Sequence, residues 1–252
     1  MLVLLPPSET KVSGGEPGSR LDRERLSFRS QDPIRASLVD QLIALARDVE
    51  ASRRALKLGP QGDPDIARNR ELLASPVLPA LQRYTGVLYD ALDYSSLPEP
   101  AKRGASHHVA VGSALFGIIR ASDPIPAYRL SWDSRLPAGT PKTQWKPVAQ
   151  SVWDEVDGFV LDLRSEGYRS LQPAPADRGV WVNLVAPGPS GARRPIGHAN
   201  KASKGLLVRS LLLDQARIES VDDLVDWGGS AGWNFDPASS TRGEIDLVIS
   251  GS

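Results

Sequence analysis

The densest run of groups able to do chemistry lies between Arg193 and Leu213. It carries Arg193, Arg194, Lys201, Lys204 and Arg209 and no carboxylate. From Glu219 to Asp246 the chain then carries seven carboxylates against Arg242 alone. Lys and Arg neutralise phosphates and release counterions, so such a run suits sequence-independent, salt-sensitive binding of an anion. For Lys201 and Lys204 the alternative is a solvated helix start. His198 stands just before these cations, and an imidazole ordinarily titrates near neutral pH. It is one candidate acid–base group; Glu9 beside Lys11 is the other. Adjacent His107 and His108 would point different ways on a helix or a strand, so no metal pair is expected there. No His-Glu-x-x-His, no glycine-rich phosphate loop with lysine and no Gly-x-Ser-x-Gly occurs.

These groups need elements to hold them. Asn200 to Gln215 is expected as a helix whose leucines surround most of its circumference, which makes it buried. Only its basic first turns and Arg209 are then left to face a cleft. Ser220 to Asp226 reads as a second short helix, capped by Ser220, with Asp222 and Asp223 in its first turn and Gly228-Gly229 at its end. Leu2 to Leu5 is continuously apolar and suits a buried central strand. The polar residues past its end, Ser8, Glu9, Thr10 and Lys11, sit where open sheets place ligands, although a plain loop would read the same way.

Gly112 to Leu136 is expected to organise the rest. Leu115, Phe116, Ile118 and Ile119 predict a short helix with Gly117 in its middle, where something must approach the backbone closely. Arg120 suits the helix C-terminus, and Asp123-Pro124 and Ile125-Pro126 stop it. Tyr128-Arg129-Leu130 then predicts a strand delivering an aromatic ring and a guanidinium to a site. For Arg129 the alternative is an ion pair with Asp133 or Asp123.

Elsewhere, Ser13 to Ser30 reads as a mobile surface segment and Pro33 to about Arg54 as one amphipathic helix. Asp63-Pro64 opens another helix, and Trp145 begins one running to about Val156. Phe159–Leu163, Val180–Val185, Trp233–Phe235 and Glu244–Ile249 read as strands. Strands scattered among helices, with no repeat and no linker, predict one α+β domain over residues 1–252, a mixed sheet with surrounding helices.

Composition excludes several classes. The 252 residues carry 30 basic and 30 acidic groups, so there is no global basic field and an anionic partner must be met by a local patch. The absence of cysteine removes disulfides, thiolate metal sites and a Cys nucleophile. The apolar start is too short for a signal peptide, and no run approaches the ~20 residues of a membrane span. A cytoplasmic protein with no membrane partner is expected.

The sequence resembles the YaaA family, the peroxide-stress proteins. Leu115, Phe116, Gly117, Arg120, Asp123, Tyr128, Arg129 and Leu130 match the family's central pattern. Further matches are Pro7, Ser8 and Thr10, the segment from Tyr84 to Leu92, Trp145, Asn183-Leu184, Lys201 to Gly205 and Gly243-Glu244. Glu9 stands where many members have Lys, and Val185-Ala186 replaces an Ala-Ser. The resemblance implies a role in limiting peroxide damage, with a helix–hairpin–helix-like element near the C-terminus holding duplex or branched DNA in a basic cleft. Ser8, Lys11, Arg120, Tyr128, Arg129, Asn183, Asn200, Lys201, Lys204 and Arg209 are the expected ligand-binding residues. A nucleotide or related small anionic substrate in the same cleft is the alternative. No cofactor is indicated, and iron ligation finds no support in the residues.

Overall fold

In a computed structural model, which describes residues 1–187, 193–195, 199–241 and 243–249, Leu2–Leu5 forms strand β1 with every side chain buried. A strand without a polar face must be covered on both sides. Val3 and Leu5 enter the larger core cluster and Leu2 and Leu4 a smaller one behind the sheet, as the two-residue period of a strand requires.

The chain continues with helices α1 (Asp32–Leu45), α2 (Val49–Leu56) and α3 (Asp63–Arg70). A two-residue strand β2 (Leu78–Pro79), α4 (Ala80–Arg83), α5 (Val87–Leu92) and α6 (Glu99–His108) follow. Then come β3 (Val109–Ser113), β4 (Gly117–Arg120), β5 (Pro124–Ile125), α7 (Pro141–Trp145), β6 (Val160–Asp162) and α8 (Glu166–Arg169). The last part holds β7 (Gly179–Pro187), β8 (Arg193–Pro195), α9 (Ala199–Leu213), α10 (Val221–Ala231), β9 (Asn234–Thr241) and β10 (Glu244–Val248).

One eight-stranded mixed sheet runs β4-β3-β1-β6-β7-β10-β9, with β8 on β7. The five central strands are parallel, and β4, β8 and β9 join antiparallel. This is an α+β domain. After β1 the chain builds β3 and β4 on one side; it then returns to lay β6 on the other side of β1. Loops leaving β1 and β6 therefore diverge, and a crevice opens beyond their carboxyl ends.

Several local expectations are corrected. The stretch from Leu115 to Ile119 is no helix: Gly112 to Ile118 form the body of a hairpin between β3 and β4. Gly117 has φ of +68°, the left-handed region that a helix interior forbids. A Cβ there would lie 2.1 Å from Gln31 Oε1 and 2.8 Å from the Trp145 ring, so the close approach expected at this glycine exists. Arg35, fully buried on α1, donates to the carbonyls of Phe116 at 2.7 Å and Ile118 at 2.9 Å and fixes the turn. Tyr128 to Leu130 lie outside any strand.

The helix expected from Pro33 to Arg54 is two helices, because Asp48 caps α2 by accepting from the Ala51 amide at 2.9 Å. The segment 13–30 is packed, with Leu21, Leu26 and Phe28 buried and Ser27 bonded to Asp123. The helix after Trp145 is replaced by short 3₁₀ turns at Lys146–Val148 and Ser151–Glu155. Helix α10 runs past Gly228-Gly229 to Ala231, with Gly232 in the left-handed region as its cap. No helix among the described residues is long and apolar enough to cross a membrane.

Candidate functional site

The crevice beyond β1 and β6 is a cavity of about 500 Å³. One wall is the loop leaving β1, from Pro6 to Thr10; another is Thr85 to Tyr89 at the start of α5. Ser165 and Tyr168 follow β6, and Trp132 closes one side. The first two turns of α9 supply Asn200, Lys201 and Lys204. These lie at the positive end of the helix dipole, where an anion is favoured.

The loop leaving β1 is braced from beneath. Lys11 forms an isolated antiparallel bridge with Tyr84. Its ammonium donates to the carbonyls of Ser8 at 2.8 Å and Glu9 at 3.2 Å. It lies 4.2 Å from the Tyr128 ring centroid and 5.3 Å from that of Tyr84, the cation–π geometry of a desolvated amine. The Tyr128 hydroxyl joins Ser113 Oγ at 2.7 Å and Tyr84 at 2.8 Å. Ser113 Oγ in turn accepts from the amides of Leu115 and Phe116. Burial raises the hydroxyls of Tyr84 and Tyr128 above the usual phenol range, so they are neutral hydrogen-bonding groups.

Burial, helped by the Arg129 charge, lowers Lys11 from the ordinary lysine value of 10.5 to about 7, with Asp65 and Glu9 opposing. The unfolded chain keeps this proton up to the ordinary value; the folded chain releases it near 7. Unfolded chains therefore bind more protons between those limits, and the Lys11 contribution makes stability rise with pH across that window. Below pH 7 both forms are charged and the burial penalty is carried in full. Lys11→Met is expected to flatten this rise, seen as a smaller difference in urea midpoint between about pH 6.5 and about pH 9 than in the unaltered chain. An unchanged difference would place the proton elsewhere.

Arg129 is in an ion pair, but its partner is Glu9 at 2.9 Å rather than Asp133 or Asp123. Asp133 binds Lys57, and Asp123 accepts from Ser27 and the Arg120 amide. Asn69 clamps the Arg129 backbone, accepting from its amide at 2.8 Å and donating to its carbonyl at 2.9 Å. Ser8 lines the cavity and accepts from the Thr85 amide at 3.2 Å.

The structure does not gather every expected residue. Arg120 pairs with Ala110 at the opposite end of the sheet and donates to the His107 carbonyl. Arg209 lies behind the cavity, bonded to the carbonyls of Leu92 and Asp93 and to Ser96 Oγ at 2.9–3.0 Å, where it anchors the end of α5. Asn183 donates to Asp246 at 3.0 Å in a separate cluster with Arg193 and Asp236. His198 lies outside the described residues, as does Arg242. Among the described residues, no three His, Asp or Glu side chains come together as a metal-holding group.

Two features escaped the sequence reading, and Lys204 was expected at the site but not as a buried group. Trp132, 41 % exposed, stands at the cavity rim. Asp162 and Arg164 form a bidentate ion pair at 2.7 and 2.9 Å with both side chains buried. Their signal was two charges ending an apolar strand, in Val-Leu-Asp-Leu-Arg. Lys204, only 6 % exposed, has no hydrogen bond or ion pair among the described residues, and its amine is held only by the more distant field of Asp162. Desolvation lowers it to about 8 against that field.

In comparisons with known proteins, residues 1–239 match the model of a family described as peroxide stress protein YaaA. A UPF0246 protein of Corynebacterium glutamicum is 37% identical over 254 residues, which cover 99% of this chain and all of the relative. One from Streptomyces coelicolor is 37% identical over 257 residues, covering 99% and 98%. A more distant one, from Lactobacillus delbrueckii, is 31% identical over 183 residues, covering 70% and 72%.

Proposed function

This chain belongs to the peroxide stress protein YaaA family, and from that premise we propose that it serves the peroxide stress response by holding a phosphate-bearing unit of nucleotide size in the cavity beyond β1 and β6. The observation that carries the reading is Lys204, a buried cation without a hydrogen-bonding partner among the described residues, beside exposed Lys201 on the same wall. A buried charge left unpaired is costly, and an incoming phosphate offsets that cost. Trp132 and Tyr168 offer flat apolar faces for a base.

The unit is either a free nucleotide or one residue of a DNA strand. Exposed Lys201 at the rim and the succession of α9, a short link and α10 favour DNA. Three arrangements favour the smaller ligand. Arg209 is bonded inside the fold, Arg129 is paired with Glu9, and α10 opens on Asp222 and Asp223. Duplex held non-specifically needs many phosphate contacts, and the salt slope counts them.

Binding of labelled ATP, duplex and four-way-junction DNA over a range of salt tests this. We expect nucleotide to compete with DNA, and a slope of log affinity on log salt of about −2, the value for two neutralised phosphates. Lys201→Met with Lys204→Met should remove most of that slope. A slope several times steeper, indifferent to nucleotide, would establish an extended DNA track instead. Absence of binding to any of these would end the anion reading.

A further inference from the structure

Lys204 differs from Lys11, the other buried amine near this cavity. Lys11 donates two hydrogen bonds and lies against two rings; Lys204 lines the cavity wall, almost fully buried, with no hydrogen bond among the described residues. A lysine largely removed from solvent and without a bonded acceptor favours its neutral form, which has a free lone pair. Lys201 is three residues earlier on the same helix and exposed. Residues i and i+3 are neighbours on a helix surface, roughly 5–6 Å between Cβ atoms, so a short phosphorylated molecule reaches both. Asn200, one turn before Lys204, has its Oδ1 buried with no hydrogen-bond partner among the described residues.

We propose that Lys204 condenses with the carbonyl carbon of a phosphorylated aldehyde or ketone in this cavity to form an imine, an inference that rests on reading the cavity as a phosphate site. The neutral ε-amine attacks the carbonyl carbon and the carbonyl electron pair moves to oxygen. A proton passes from nitrogen to that oxygen, giving a carbinolamine whose hydroxyl Asn200 Oδ1 is placed to accept. The hydroxyl takes a further proton and leaves as water while nitrogen donates its pair to form the C=N bond. Counted from the ammonium, the carbonyl oxygen and two of its hydrogens depart as one water, and no oxidant or reductant is needed. Lys201 holds the phosphate meanwhile.

Two sources carry this chemistry: a free sugar phosphate, and the open-chain aldehyde of a deoxyribose in DNA that has lost its base. The full chain is incubated with glyceraldehyde 3-phosphate, or with an oligonucleotide containing one abasic site, in the presence of cyanoborohydride. The hydride reduces the imine to a stable secondary amine, and peptide mass mapping locates it. At pH 7.5 an amine titrating near 8 is about one quarter neutral, against about one thousandth for an ordinary lysine. We expect an adduct on Lys204, equal to the carbonyl compound less its oxygen, forming at least tenfold faster than on the other six lysines.

Inorganic phosphate should slow that adduct, and Lys204→Met, an apolar side chain of similar length suited to burial, should abolish it. Lys201→Met should slow trapping of the phosphorylated compound but not of unphosphorylated glyceraldehyde. Which of the two probes is trapped faster identifies the source. Adducts spread over the lysines by exposure, with ATP still bound, overturn the imine and leave the anion site standing. Failure of both trapping and ATP binding removes the two readings together. The mapping on the unaltered chain decides the matter even where a variant fails to fold.

Discussion

Asp162→Ala should cost about 3–5 kcal/mol of folding stability, the typical penalty for removing one partner of a buried ion pair. The carboxylate accepts from Arg164 Nε at 2.9 Å, from its terminal nitrogen at 2.7 Å and from its amide at 3.0 Å. In the variant the guanidinium keeps only the Gln172 carbonyl at 2.9 Å. Space to move is lacking too, since Gly112 lies so close that a Cβ there would be 2.6 Å from the Arg164 side chain. Urea unfolding measures the loss. Asp162→Leu combined with Arg164→Met should recover most of it, because well-packed apolar side chains often replace a buried pair at no loss. A loss under about 1 kcal/mol in the single variant would mean that water reaches the guanidinium. The same substitution removes the charge that opposes the lowering of Lys204, so the Lys204 amine should become still less basic.

Gly205→Ala should also destabilise the fold, by less, and should strike the cavity as well. A Cβ at residue 205 would lie 2.1 Å from the Leu88 carbonyl oxygen and 2.9 Å from both Ala91 Cβ and the Leu92 amide nitrogen. Two of these are backbone atoms of α5, so no rotamer change relieves the clash; α5 and α9 must separate. Overpacking of this kind costs typically 1–3 kcal/mol and sometimes more. Helix propensity pulls the other way, favouring Ala by about 1 kcal/mol, so the net sign reports how firmly the two helices are held. We expect net destabilisation in urea, together with weaker ATP binding, because Gly86 to Tyr89 and Lys201 to Lys204 are facing walls of one cavity. Unchanged binding would show that the walls move independently.

Much of the fold was readable where one period dominates. The apolar run from Leu2 to Leu5 announces a central strand, and Ile245, Leu247 and Ile249 an alternating one. The leucine-rich turns from Asn200 onward announce a buried helix with a basic start. Leu115 to Ile119 misled because a short apolar run has no decisive period; what makes it a hairpin is Arg35 and Gln31, more than eighty residues away in the chain. The site was half legible. Polar residues after a central strand and cations opening a buried helix were found in sequence and meet in space. Arg120 and Arg209 look like the same kind of cation in a string of letters, and only the carbonyls they reach show them to be structural. Trp132 gave no signal, since nothing in the types or spacing of its neighbours marks a lone tryptophan as a cavity rim.

The position of β1 between β3 and β6 also sets an order of events. Strand β1 precedes the other strands of its sheet in the chain and is fully apolar, yet its first partner begins at Val109 and its second at Val160. At synthesis rates of about 5–20 residues per second, Leu2–Leu5 waits roughly 5–20 s for one neighbour and longer for the other. During that interval it is an unpaired edge open to chaperones or to other chains. The cavity, which needs β1, β6 and α9 together, cannot form until α9 has been made and is absent from every earlier nascent intermediate.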